Sequence, residues 1–267
     1  MAGDPFAMLD WLVEAGADEA IAESPVNRLA ARVPLPAATM PPLPLPAARP
    51  APTRPAAMPA ASLIPEDAIG TAQNLAAAAT NLAQLRAVME SFEGCALKRG
   101  ATNTVFADGT ELAPVMLIGE APGREEDRIG KPFVGRAGQL LDKMLASIGL
   151  DRARNAYITN VINWRPPDNR DPTPEEAAQC LPFLRRHIEL AQPKVIILLG
   201  AVAARHVVGK TDGIMKIRGR WMDYRVGDQL VPLMPTLHPA YLLRQPAHKK
   251  LAWRDLQAVR DRLNAPG

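Results

Sequence analysis

Apolar runs that each end in a different polar residue constrain this chain most. Val115-Met116-Leu117-Ile118 leads into Gly119-Glu120, the stretch AYITNVI over 156–162 carries Asn160, and residues 231–236 lead into Leu237-His238-Pro239. A further run, KVIILL over 194–199, is apolar throughout, as a strand covered on both faces is. Helical patterns separate these runs. One over 138–148 has a stripe of Leu140, Leu141, Met144, Leu145 and Ile148, others span 174–190 and 201–207, and a basic amphipathic helix with Leu251, Leu256 and Val259 closes the chain. The alternation predicts an α/β fold, a three-layer α/β/α sandwich with a central four-stranded parallel sheet. Open sheets of this kind build ligand sites at the carboxyl ends of their strands, so an acid, an amide and an imidazole converge there. That convergence is the pattern of an enzyme.

Local signals sharpen the boundaries. Thr173, Pro174 and Glu176 form a capping box at the start of the 174–190 helix. Ala68–Phe92, with Leu75, Leu82, Leu85 and Met89 near one face, reads as one Ala-rich helix. Upstream the composition changes. Twelve prolines between Pro25 and Pro65 predict an extended Pro/Ala-rich linker over 25–65. It follows a short N-terminal segment, 1–24, with an amphipathic helix over 7–23 that serves either as a dispensable tail or as a docking motif for a protein partner. The domain proper then spans 66–267. Residues 1–62 carry six acids against four arginines, while the whole chain is +3, so the body is basic and suits a polyanionic partner. Two cysteines, Cys95 and Cys180, make no disulfide framework. With no signal peptide and no membrane-length apolar run, the expectation is a cytoplasmic monomer with no membrane contact.

The motifs in order are GEAPGREED (119–127), GKPFVGRAGQLL (130–141), YITNVINWRPPDNR (157–170), KVIILLGAVAA (194–204) and HPAYLLRQP (238–246). In this set, over roughly residues 85–265, the chain resembles the family 4 uracil-DNA glycosylases. The resemblance implies hydrolysis of the N-glycosidic bond of deoxyuridine in DNA by base flipping, with release of uracil. It makes Glu120 and His238 catalytic: His238 stabilises negative charge on uracil O2 and Glu120 orients water and steadies the sugar cation. Asn160 pairs with uracil O4 and N3–H, Phe133 stacks on the base, and Glu126 lies near uracil C5. The backbone of Ala121 to Gly123 cradles a phosphate or the base edge. Tyr241, Leu242, Leu243 and Arg244 follow as DNA contacts, Leu242 or Leu243 as the wedge that fills the gap left by the base. The plain alternatives are a structural histidine, a strand-end asparagine cap and a core phenylalanine. His187, His206 and His248 fall in helical stretches and read as structural.

One part of the family pattern is broken. The resemblance implies a [4Fe–4S] cluster on four cysteines, yet the matching positions hold Phe92, Cys95, Trp164 and Cys180. Phenylalanine and tryptophan offer iron no lone pair, so no cofactor is expected, with a cluster shared between two chains as the alternative. A rival function is a non-catalytic DNA- or partner-binding module. A nucleotide-binding enzyme fits the fold but lacks both the Gly-rich dinucleotide fingerprint and a P-loop lysine.

Overall fold

A computed structural model of the chain describes residues 67–209 and 212–265. The expected N-terminal helix and the linker over 25–65 lie outside the described residues. The elements run α1 (Ala68–Ala78), α2 (Leu82–Ser91), β1 (Asp108–Gly109), β2 (Val115–Gly119), α3 (Arg124–Ile129), α4 (Arg136–Ala146) and β3 (Ala156–Asn160). Then follow α5 (Pro174–Ala191), β4 (Val195–Leu199), α6 (Ala201–Val208), α7 (Ile214–Ile217), β5 (Met222–Val226), β6 (Gln229–Thr236), α8 (Pro239–Arg244) and α9 (Lys249–Asn264).

The sheet order is β1-β3-β2-β4-β6-β5. Its inner four strands are the expected parallel core, and β1 and β5 add antiparallel edges. Every residue of β2, β3 and β4 is buried, which is why those strands read as continuous apolar runs. Alternate residues serve opposite faces. Met116 and Ile118 join one core cluster with Leu85, Phe183 and Ile188, whereas Val115 and Leu117 join another with Leu141, Leu145, Leu256 and Val259. Thus α1, α2 and α5 cover one face and α4, α8 and α9 the other. Each fully buried Leu or Ile contributes about 1.5–3 kcal/mol.

The edges were not visible in the apolar pattern. β1 has only two residues, and Gly109 is needed there because a Cβ would overlap the Ala156 carbonyl. β5 alternates half-buried with exposed residues, Asp223 and Arg225 among the latter, as edge strands do.

The expected single helix over 68–92 is broken. Ala79 is extended, its carbonyl accepts two bonds from the Arg186 guanidinium, and Asn81 caps α2 by accepting from Gln84 N–H at 2.9 Å. The expected capping box on α5 is present, with Thr173 Oγ1 accepting from Glu176 N–H and Glu176 accepting from Thr173 N–H. Register delivers the site. Gly119 lies opposite Asn160, and Leu199 opposite Thr236, so Glu120, Asn160, Gly200 and His238 all emerge at one edge of the sheet.

Candidate active site

A cavity of about 570 Å³ opens at that edge. Glu120, Ala121, Gly123, Glu126, Phe133, Asn160, His238, Tyr241 and Arg244 all line it, so nine of the residues expected from sequence meet in one place. Two glycines permit the meeting. A Cβ on Gly119 would overlap Asn160 Oδ1 and the Phe133 ring, and one on Gly200 would lie 3.0 Å from His238 Cβ.

Asn160 is 2% exposed, and its Oδ1 is buried with no hydrogen-bond partner. An unpaired buried acceptor costs about 1–3 kcal/mol, so the protein keeps it at the expense of stability. The other such atom among the described residues, Gln179 Oε1, lies on α5 and does not line the cavity.

His238 caps α8, its Nδ1 accepting from Ala240 N–H at 3.1 Å. That bond places the proton on Nε2. Burial, together with the positive charge of Arg244, lowers the imidazole pKa to about 4, against a smaller upward pull from Glu126. The ring is therefore neutral near pH 7, and its Nε2–H remains to donate. Its centroid lies 5.5 Å from that of Phe133.

Phe133 sits at φ +54°, a left-handed conformation uncommon for a bulky residue. The surrounding loop is gripped from both sides. Arg152 donates to the carbonyls of Pro132 at 2.9 Å and Phe133 at 2.6 Å. Glu126 accepts from the N–H groups of Val134 and Gly135, both at 3.0 Å, and from Gly123 N–H at 3.1 Å. Strain of this kind persists only where neighbours over-determine it. The Gly123 bond also corrects one expectation. Its N–H is held by Glu126, and Pro122 has none, which leaves Ala121 as the backbone donor of that turn.

Glu120 has its pKa raised to about 7, first by burial and then by the charge of Asp171, with Arg205 opposing. Asp171, Asn169 and Arg170 also line the cavity and were missed in the sequence reading. They lie on the Pro-rich loop that follows Asn160, and being carried by the same strand end was the available signal. Asp168 and Asn169 are both left-handed, and Arg165 Nε donates to Asn169 Oδ1 at 2.8 Å.

Of the adjacent leucines, Leu242 is 1% exposed and belongs to the core cluster that contains Leu141 and Leu256. It is therefore packing rather than a wedge. Leu243 is 37% exposed, one turn-face away on the same short helix. His248, read as structural, bonds through Nδ1 to the hydroxyl of the cavity-lining Tyr241 at 2.7 Å. His187 is structural as expected, bonded to the Tyr157 hydroxyl and stacked on Phe106.

The four positions implied for an iron–sulfur cluster do not fit one. Phe92, Cys95, Trp164 and Cys180 are all buried and supply two sulfur donors, and no group of three His, Cys, Asp or Glu suited to a metal ion occurs among the described residues. No helix among the described residues is long and apolar enough to cross a membrane.

Comparison with known proteins agrees with this geometry. The family model of the uracil DNA glycosylase superfamily matches residues 106–257. A type-4 uracil-DNA glycosylase of Thermotoga maritima is 41% identical over 176 residues, covering 65% of this chain and 90% of the relative. One from Archaeoglobus fulgidus is 44% identical over 156 residues, 57% of this chain and 78% of the relative. A type-5 enzyme of Pyrobaculum aerophilum is 36% identical over only 110 residues, 36% of this chain and 48% of the relative. The match runs from β1 into the first half of α9 and takes in every residue that lines the cavity: the chain belongs to the uracil DNA glycosylase superfamily.

Proposed function

We propose that the protein hydrolyses the bond between uracil N1 and deoxyribose C1′ in DNA, releasing uracil and leaving an abasic site. The observation that carries this reading is the unpaired, buried Oδ1 of Asn160 in the wall of a cavity shared with Phe133 and His238. A flipped uracil supplies what that atom lacks. Its N3–H donates to Oδ1 while its O4 accepts from Nδ2. Cytosine offers an acceptor at N3 and a donor at N4, so it leaves the amide mispaired, and a polar mismatch in a closed site is rejected strongly.

The chemistry follows from the same groups. As the C1′–N1 bond breaks, its electron pair moves onto the base and charge gathers on O2. The neutral His238 ring donates Nε2–H there, a dipole already in place before the reaction begins. Glu120, ionised, orients the water whose oxygen attacks C1′ and stabilises the cationic sugar; the proton that water loses passes to solvent, and the uracil anion takes one up on release. Phe133 stacks on the base, its loop held by Arg152 and Glu126. On the rim, Tyr241 and Arg244 meet the DNA backbone and Leu243 fills the vacated stack. Turnover needs no cofactor in this reading. The chain acts as a cytoplasmic monomer, and the acidic segment over 7–23 is left to a protein partner rather than DNA.

Uracil release from a single-uracil oligonucleotide tests the proposal. The parent protein is expected to release the base, and His238→Ala to bind the same DNA while losing turnover. Binding without release by the parent protein would turn the reading toward a non-catalytic DNA-binding module.

A further inference from the structure

The interior where the family resemblance places a cluster is closed by side chains. Phe92 ends α2, Cys95 opens the turn after it, Trp164 lies in the loop after β3, and Cys180 and Phe183 lie on α5. None of the five is more than 2% exposed. The Phe92 and Phe183 rings meet edge-on with centroids 5.0 Å apart, and Phe92 and Trp164 are tilted at 6.3 Å. The Trp164 indole N–H donates to Thr104 Oγ1 at 3.0 Å, so its single polar atom is satisfied. Phe92 folds back over Gly94, where any Cβ would overlap its ring. Cys95 and Cys180 are both free and buried, and the neighbouring Cys95 thiol, with burial, pushes the Cys180 pKa up and keeps it a thiol.

We propose that this aromatic plug stands in for an iron–sulfur cluster, tying α2, the loop after β3 and α5 together so that the chain folds and shapes its site without iron. The inference rests on the family reading for the ligand positions and on the packing for their replacement. A cluster joins distant segments through metal–thiolate bonds; here packed rings and one satisfied indole join the same segments by contact. The consequence reaches the cavity, because the loop anchored by Trp164 is the one that carries Asn169, Arg170 and Asp171 into its wall.

The test uses the full chain, produced with iron supplied and purified without oxygen. Iron and acid-labile sulfide per chain, the visible spectrum, and the thermal midpoint with and without a strong chelator are measured on one batch, beside uracil release. The expected result is sub-stoichiometric iron, no visible chromophore and a thermal midpoint unchanged by chelation. Stoichiometric iron and sulfide, in a monomer or in a dimer bridged by Cys95 and Cys180 of two chains, overturns the proposal. A midpoint that drops on chelation does the same. Loss of uracil release alone counts against the enzymatic reading and leaves the iron result standing. The double variant Phe92→Cys/Trp164→Cys restores four thiols, and it is expected to take up iron and sulfide on anaerobic reconstitution. If it folds but takes up neither, the plug does not occupy the cluster's place and the replacement claim falls.

Discussion

Asn160 and Asn163 are three residues apart and each is 2% exposed, yet the protein treats them in opposite ways. Asn163 donates from Nδ2 to the Val105 carbonyl at 2.9 Å, and Val105 N–H donates back to the Asn163 carbonyl at 2.8 Å. Asn160 keeps a buried oxygen with no partner. The segment between them joins two aromatic interiors. The plug around Trp164 has its indole N–H spent on Thr104, whereas the cavity around Phe133 leaves an acceptor and an Nε2–H unspent. An interior that is finished serves stability; one left short of particular partners serves a ligand. Substitutions in the two regions should therefore separate cleanly.

The largest effect on folding is expected from Trp164→Ala, which removes a fully buried indole and strands Thr104. The cost should be about 3–5 kcal/mol, measured by urea denaturation. Per folded molecule, turnover should fall too, because the loop that Trp164 anchors carries Asn169 to Asp171 into the cavity wall, but by less than in His238→Ala. His238→Ala is the mirror image. Loss of the donor to O2 should lower kcat about 10²–10³-fold, while loss of the α8 cap costs only about 1 kcal/mol of stability. DNA affinity, measured on an uncleavable substrate analogue, should hold. Equal falls in affinity and turnover would mean that His238 positions α8 and nothing more.

The asparagine pair gives a finer cut. Asn163→Ala leaves the Val105 carbonyl short of a donor and should destabilise by about 1–3 kcal/mol. Asn160→Ala removes an unpaired buried oxygen and should cost little or even stabilise, while kcat/KM for uracil falls. If Asn160→Ala destabilises as much as Asn163→Ala, the amide is structural and the cavity is not built around it. Arg152→Lys should fall between these cases. A lysine ammonium cannot hold the carbonyls of Pro132 and Phe133 together with Asp108 and Asp142 as the guanidinium does, so the left-handed Phe133 loosens and KM rises more than kcat falls.

Legibility followed the same division. The inner strands, the α5 capping box and the convergence of Glu120, Asn160 and His238 were readable because burial on both faces and strand-end polarity leave marks in a single sequence. The edges β1 and β5 were not, since one is two residues long and the other carries charges as an edge needs to. The break between α1 and α2 was written in Thr80, Asn81 and Gln84, a cap hidden inside an Ala-rich stretch. Leu242 and Leu243 could not be told apart, because which of two neighbours faces the core depends on how α8 sits on α4. Asp171 was invisible for another reason: it acts through space on Glu120, and no spacing rule connects residues 51 positions apart.

That long-range pairing sets the smallest effect and its sign. Glu120 has a pKa of about 7, raised by burial and then by Asp171. If its carboxylate is the active form, kcat/KM should climb as pH rises through about 7 and level off above it. His238, already neutral above about 4, adds no limb in that range. In Asp171→Asn one of the two raising influences is gone while Arg205 still opposes, so the midpoint should move down and the variant should outperform the parent protein on the acid side. Stability runs the other way. A carboxyl whose folded pKa lies above its ordinary value of 4.5 favours the fold most below that value, and this contribution is lost as pH rises through about 7. Glu120→Gln should therefore gain stability relative to the parent protein above neutral pH, in the same range where the parent protein is most active. A profile whose midpoint ignores Asp171→Asn would assign the ionisation to the DNA complex or to another group, and Glu120 would lose its place as the residue that orients water.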